Sequence, residues 1–148
     1  MSKTFKFCVI ALASILLAVG TTVPAEAAIK TWTNSSHTRA QKCYTPPACT
    51  NYAKSITFAA KSNSQMRTIT ATGRVLAQTG ANKYSQIYSR TITARNTTEN
   101  VWRWSIPRKY GNAKLKVVVS ATFKKRLYSA SRSSTKYIWE GIPAVAPE

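Results

Sequence analysis

Apolar and polar residues alternate along most of this chain. Between Lys114 and Lys124, Leu115, Val117, Val119, Ala121 and Phe123 fall at every second position. Lys114, Lys116, Ser120, Thr122 and Lys124 fall between them, with Val118 as the one apolar residue on the polar side. A two-residue period sends successive side chains to opposite faces, so this stretch predicts a half-buried antiparallel strand with a lysine-studded outer face. SITFAA (residues 55–60) alternates Ile56, Phe58 and Ala60 against small or polar neighbours. In MRTITATGRVLA (66–77), Ile69, Ala71, Gly73 and Val75 share a face opposite Met66, Thr68, Thr70 and Thr72. YSQIYSRTITAR (84–95) is rich in the tyrosine, threonine and isoleucine that suit a pleated, half-buried surface. VWRWSI places Trp102, Trp104 and Ile106 on one face and Val101, Arg103 and Ser105 on the other, which predicts tryptophans packed in a core and an arginine facing out. IKTWTN (29–34) and TKYIWE (135–140) read as a first and a last short strand.

The segments between are turn-rich: QTGANK, RNTTEN, YGN and SASRSS carry the glycines, asparagines and serines that punctuate strands. Short strands separated by such signals predict an all-β fold, an antiparallel β-sandwich, with a small β-barrel as the alternative. Two N-x-[ST] sequons, at Asn34 and Asn96, predict exposed loops.

The first residues change the picture. Lys3 and Lys6 precede a short apolar run, CVIALASILLAVG, and small residues around Ala25 and Ala27 follow. A basic start, an apolar core too short to span a bilayer and an A-x-A-like site predict a secretory signal peptide over residues 1–28. One domain, residues 29–148, would then be released as a soluble extracellular protein. Removing residues 1–28 leaves 20 lysines and arginines against 3 glutamates, a formal charge of +17, and no aspartate occurs anywhere. So lopsided a charge draws polyanions and repels itself. Two cysteines remain in that domain, Cys43 and Cys49 in KCYTPPACT. Their even number in an exported chain predicts a disulfide closing a small proline-containing loop, because neither C-x-x-C redox spacing nor a set of metal ligands surrounds them.

Catalytic chemistry has little material. Glu99, Glu140 and Glu148 are the only carboxylates of residues 29–148, and the one histidine, His37, sits in a polar stretch without an acidic partner of obvious placement. No G-x-S-x-G, no H-E-x-x-H and no phosphate-binding glycine loop occurs. The expectation is a non-catalytic protein with no metal, cofactor or small-molecule substrate.

Basic residues, by contrast, recur on nearly every predicted strand. Eight lie between positions 103 and 126, and these form the candidate polyanion-binding set: Arg103, Arg108, Lys109, Lys114, Lys116, Lys124, Lys125 and Arg126. A hairpin joining VWRWSI to KLKVVVSATFK through RKYGNA would gather them on one sheet face. Arginine would fork onto anionic oxygens and lysine would act as a point charge. Some lysines also serve to keep sheet edges from pairing with other chains.

The order ITATGRVLA, then a tyrosine- and threonine-rich strand, then VWRWSIP, then KLKVVVSATFKKRLYSAS resembles bacterial extracellular immunoglobulin-like (Big-type) surface modules over residues 68–131. Such modules often carry a G-x-V strand, here Gly73 and Val75, and a later W-x-W/I-x-I-P strand, here Trp102 to Pro107. The resemblance implies an immunoglobulin-like sandwich and an adhesive or binding role, and it carries no catalytic residues. The chain departs from those modules in being solitary and strongly basic. Three partners fit the charge: an anionic cell-envelope polymer, the anionic headgroups of a membrane attacked by a cationic antimicrobial or bacteriocin-like toxin, or extracellular nucleic acid.

Overall fold

In a computed structural model the described residues are 28–45 and 48–140. The predicted signal peptide lies outside them, apart from Ala28. They form five antiparallel strands: β1 (Thr31–Thr45), β2 (Ala48–Gly80), β3 (Lys83–Ser105), β4 (Leu115–Lys125) and β5 (Tyr128–Ile138). A single 3-10 turn, Arg108–Tyr110, interrupts the connection before β4.

The fold is all-β, as the alternation predicts, and its architecture is one curled sheet. The long strands β2 and β3 form a hairpin turned at Ala81 and Asn82, with Asn82 in the left-handed region that asparagine tolerates. On the other side of β2, β1 pairs along residues 48–62 and β4 along residues 68–77, and β5 pairs with β4. Between the two stretches the β2–β3 register breaks, from Lys61↔Glu99 to Met66↔Thr97, and Asn96 takes a positive φ of 49°. Such an irregularity bends a strand and re-aims its side chains. It turns the sheet back on itself, so that β1 and the adjoining ends of β2 and β3 face the rest of β2 and β3 with β4 and β5.

The core fills the space between these two halves. Ile56 and Phe58 from the first half meet Ile69, Val75, Val117 and Phe123 from the second, all fully buried. Each such side chain contributes about 1.5–3 kcal/mol on leaving water. Gly73 marks the closest approach. A Cβ there would lie 2.5 Å from Phe58 Cδ1 and 2.8 Å from Trp102 Cζ2. The space it leaves is taken by an aromatic stack, Trp102 on Phe58 at 5.1 Å, Phe58 on Tyr88 at 5.6 Å and Tyr88 on Trp104 at 4.6 Å. Trp102 is buried and Trp104 half-buried, in line with the core role their spacing predicts.

Three expectations change. RNTTEN is not a turn: it continues β3 through the bend, where the buried Asn100 donates from Nδ2 to the carbonyls of Ile69 (2.9 Å) and Ile92 (2.8 Å). SASRSS is not a turn either but the body of β5, and the chain reverses earlier, at Arg126 and Leu127. Asn34 and Asn96 are exposed, yet both lie in strands rather than loops.

The expected hairpin between VWRWSI and KLKVVVSATFK is also absent. The end of β3 pairs with β2, and β4 pairs with β2 and β5. The connecting residues 106–114 cross from one half of the sheet to the other. β2 holds them by backbone hydrogen bonds from Ile106 N to Lys54 O, from Ala53 N to Gly111 O and from Gln78 N to Lys114 O, each 2.9 Å.

Candidate polyanion-binding surface

Because that hairpin does not form, the eight predicted residues do not share one face. Arg103 points outward from β3 opposite Thr57, and Arg108 and Lys109 are exposed on the 3-10 turn. Arg108 lines a notch of about 120 Å³ with Lys42, Thr50, Tyr52 and Asn112, beside the Cys43–Cys49 disulfide hairpin. Lys109 Nζ sits 5.0 Å over the Tyr110 ring. Lys114 is exposed just before β4. Lys116 and Lys124 do share the outward side of β4, eight residues or roughly 27 Å apart. Lys125 is half-buried and donates to Ser64 Oγ at 2.9 Å, while Arg126 is exposed at the β4–β5 turn with φ 28°. The set is spread over both halves of the molecule.

Both described acidic residues are already engaged. Glu99 pairs with Lys61 at 3.3 Å on the outer surface. Glu140, just past β5, is buried and accepts hydrogen bonds from Arg39 Nε (2.6 Å) and His37 Nε2 (2.8 Å) on β1. Burial alone would push its carboxyl pKa up; the two hydrogen bonds and the charge of Arg39 outweigh that, and the pKa falls below its ordinary value. Sequence alone offered no acid for His37, because this partner comes from the far end of the chain. The contact pins that end to β1. The other ring nitrogen, His37 Nδ1, is buried without a hydrogen-bond partner among the described residues. With both described carboxylates occupied, positive charge on the described surface has little acid to offset it.

A second pattern escaped the sequence reading. On the outward side of the second half, cross-strand register lines up hydroxyls in rows of four. One row runs Thr91, Thr72, Ser120, Ser133 and the next Thr93, Thr70, Thr122, Ser131, across β3, β2, β4 and β5. Neighbours hydrogen-bond in pairs: Thr72 with Thr91 at 2.7 Å, Thr70 with Thr93 at 3.0 Å, Ser120 with Ser133 at 3.3 Å and Thr122 with Ser131 at 3.4 Å. A shallow depression of about 370 Å³ lies over the β2–β4 seam between the pairs. The signal was present as T-x-T in TITAT and RTITAR and S-x-S in SASRSS, but one-dimensional alternation does not say which strands lie side by side.

The chain matches no protein-family model and no curated protein. Among solved structures it is similar to the sporulation control protein Spo0M of Bacillus subtilis, at 13% identity and a TM-score of 0.34, over 74% of this chain and 49% of that one. The chain thus spans about half the length of that structure.

Proposed function

We propose that this is a secreted, non-catalytic protein that binds anionic polymers of the cell envelope through cationic outward faces of its sheet. The observation that carries the reading is the pairing of a large positive excess, +17 for residues 29–148, with described carboxylates that are both taken: Glu99 and Glu140 are each held by basic partners. The spread of the eight cations fits an extended chain gripped at many points rather than a compact ligand, each contact being modest and screened by salt. The likeness to extracellular immunoglobulin-like modules and the signal-peptide pattern favour the same setting. Retention of the protein on isolated cell walls, compared with walls stripped of anionic polymers, tests it. Strong retention on the first and little on the second is expected, and equal retention would remove the reading.

One observation favours membrane attack as a second reading. Leu127, 97% exposed, caps the β4–β5 turn beside Lys124, Lys125 and Arg126. An apolar tip in a cationic collar suits insertion at anionic headgroups. Leakage of anionic vesicles supports that reading, and intact vesicles at saturating protein exclude it.

A further inference from the structure

We infer that the outward side of β3, β2, β4 and β5 is a binding site for a linear anionic polysaccharide, lying along the strands and across the hydroxyl rows, between a tyrosine pair and a cationic end. This rests on the polyanion reading above and names the face and the class of polymer. A serine or threonine hydroxyl offers one donor and two acceptor positions, so pairing two of them across strands leaves capacity on both facing solvent. Two rows of four therefore present a two-dimensional grid, with about 4.8 Å between strands and about 6.7 Å between rows. The grid is uncharged and dense in groups that both donate and accept, which is the chemistry of a sugar ring's own hydroxyls.

The surroundings add direction and charge. One row beyond the grid, Arg95 and Lys124 flank Thr68; one row beyond the other side stands Arg74 beside Val118. All three cations are exposed. A row further on, Tyr137 is 55% exposed with Lys116 Nζ 6.0 Å over its ring, and Tyr84 reaches across from β3 to within 6.3 Å of it, ring centre to ring centre. Aromatic faces suit the apolar faces of sugar rings. From the Lys124 row to the Lys116 row the face runs roughly 27 Å, long enough for several sugar units. The depression over the β2–β4 seam lies on this line.

Other occupants fit less well. Single-stranded nucleic acid calls for bases stacked in series along a cationic groove, whereas here the middle of the face is neutral and the aromatics stand at one end. A lipid surface calls for apolar side chains, and only Val118 and Leu76 interrupt the polar outward positions of β2 and β4 on this face. A chain with hydroxyls throughout and carboxylates at intervals matches both the grid and its charged ends.

The test uses alginate, a linear uronic-acid polymer, against polyphosphate, which has charge without sugar hydroxyls. Titration calorimetry is run on the protein and on Thr70→Val/Thr72→Val/Thr122→Val, which removes three hydroxyls while keeping β-branched side chains. Tyr137→Ala serves as a second variant at an exposed position, and thermal unfolding checks that both fold. The expected result is about tenfold weaker alginate binding in the triple variant and a several-fold loss in Tyr137→Ala, with polyphosphate binding changed less than about twofold. Unchanged alginate binding in folded variants overturns the inference and leaves the polyanion reading standing. So does equal loss of both polymers, or wild-type binding of polyphosphate without alginate. Failure of the wild type to bind either polymer overturns the polyanion reading itself.

Discussion

Glu140 shows how little a local stretch of sequence reveals about a titrating group. In TKYIWE it reads as the polar end of a short strand; in the folded chain it is buried against β1 and held by His37 and Arg39. Its folded pKa lies below the ordinary value of 4.5. A carboxyl with a depressed pKa stabilises the fold fully above its unfolded pKa, and that contribution drains away as pH falls through the lower, folded value. Urea unfolding should therefore show stability falling as pH drops below about 4.5. Glu140→Gln should cost about 1–3 kcal/mol near neutral pH and little in strong acid, where the wild type has lost the same ionised carboxylate. A cost equal at both pH values would mean that shape rather than charge holds this contact. The tryptophans are the opposite case. Trp102 and Trp104 alternate with Arg103, which favours a core place for them over an exposed stacking platform and an outward place for the arginine; the aromatic stack they join is visible only in the folded chain.

At the scale of elements, β4 was legible because one face of it is entirely apolar and meets the core. The bend in β3 was not, and of β5 only the end, within TKYIWE, reads as a strand. β5 lies at the sheet's outer edge, where most of its side chains are exposed and polar, so no apolar alternation advertises it. The bend in β3 carries polar residues for a different reason. There a polar side chain turns inward, and buried carbonyls need donors. Asn100 supplies them to Ile69 and Ile92 from one amide nitrogen. In Asn100→Leu both carbonyls lose that donor in a buried place, and the expected cost is about 2–4 kcal/mol, read as a lower urea midpoint. If the midpoint shifts by less than about 0.5 kcal/mol equivalent, the bend is held by the packing of β2 against β3 alone.

For the molecule as a whole, the sequence showed the amount of charge but not its distribution. Which cations become neighbours depends on strand order, and β2 rather than β4 proved to be the neighbour of Arg103. The hydroxyl grid has the same origin, since four separate S/T-x-S/T stretches become one surface only through register. Field and site can be separated experimentally. Long-range attraction depends on total charge and is screened over about 10 Å at 0.1 M salt but about 3 Å at 1 M, so high salt leaves mainly direct contacts. Two double variants remove equal charge from different places: Arg103→Gln/Arg108→Gln on the first half and around the crossing connection, and Arg95→Gln/Lys124→Gln beside the grid. At low salt both should slow association with an anionic polymer to a similar degree, measured by stopped-flow. As salt rises toward 1 M the first variant should converge on the wild type, while the second stays about three- to tenfold weaker, because it has lost contacts and not only field. Convergence of both variants would mean that the protein holds its polymer by overall charge, with no privileged face.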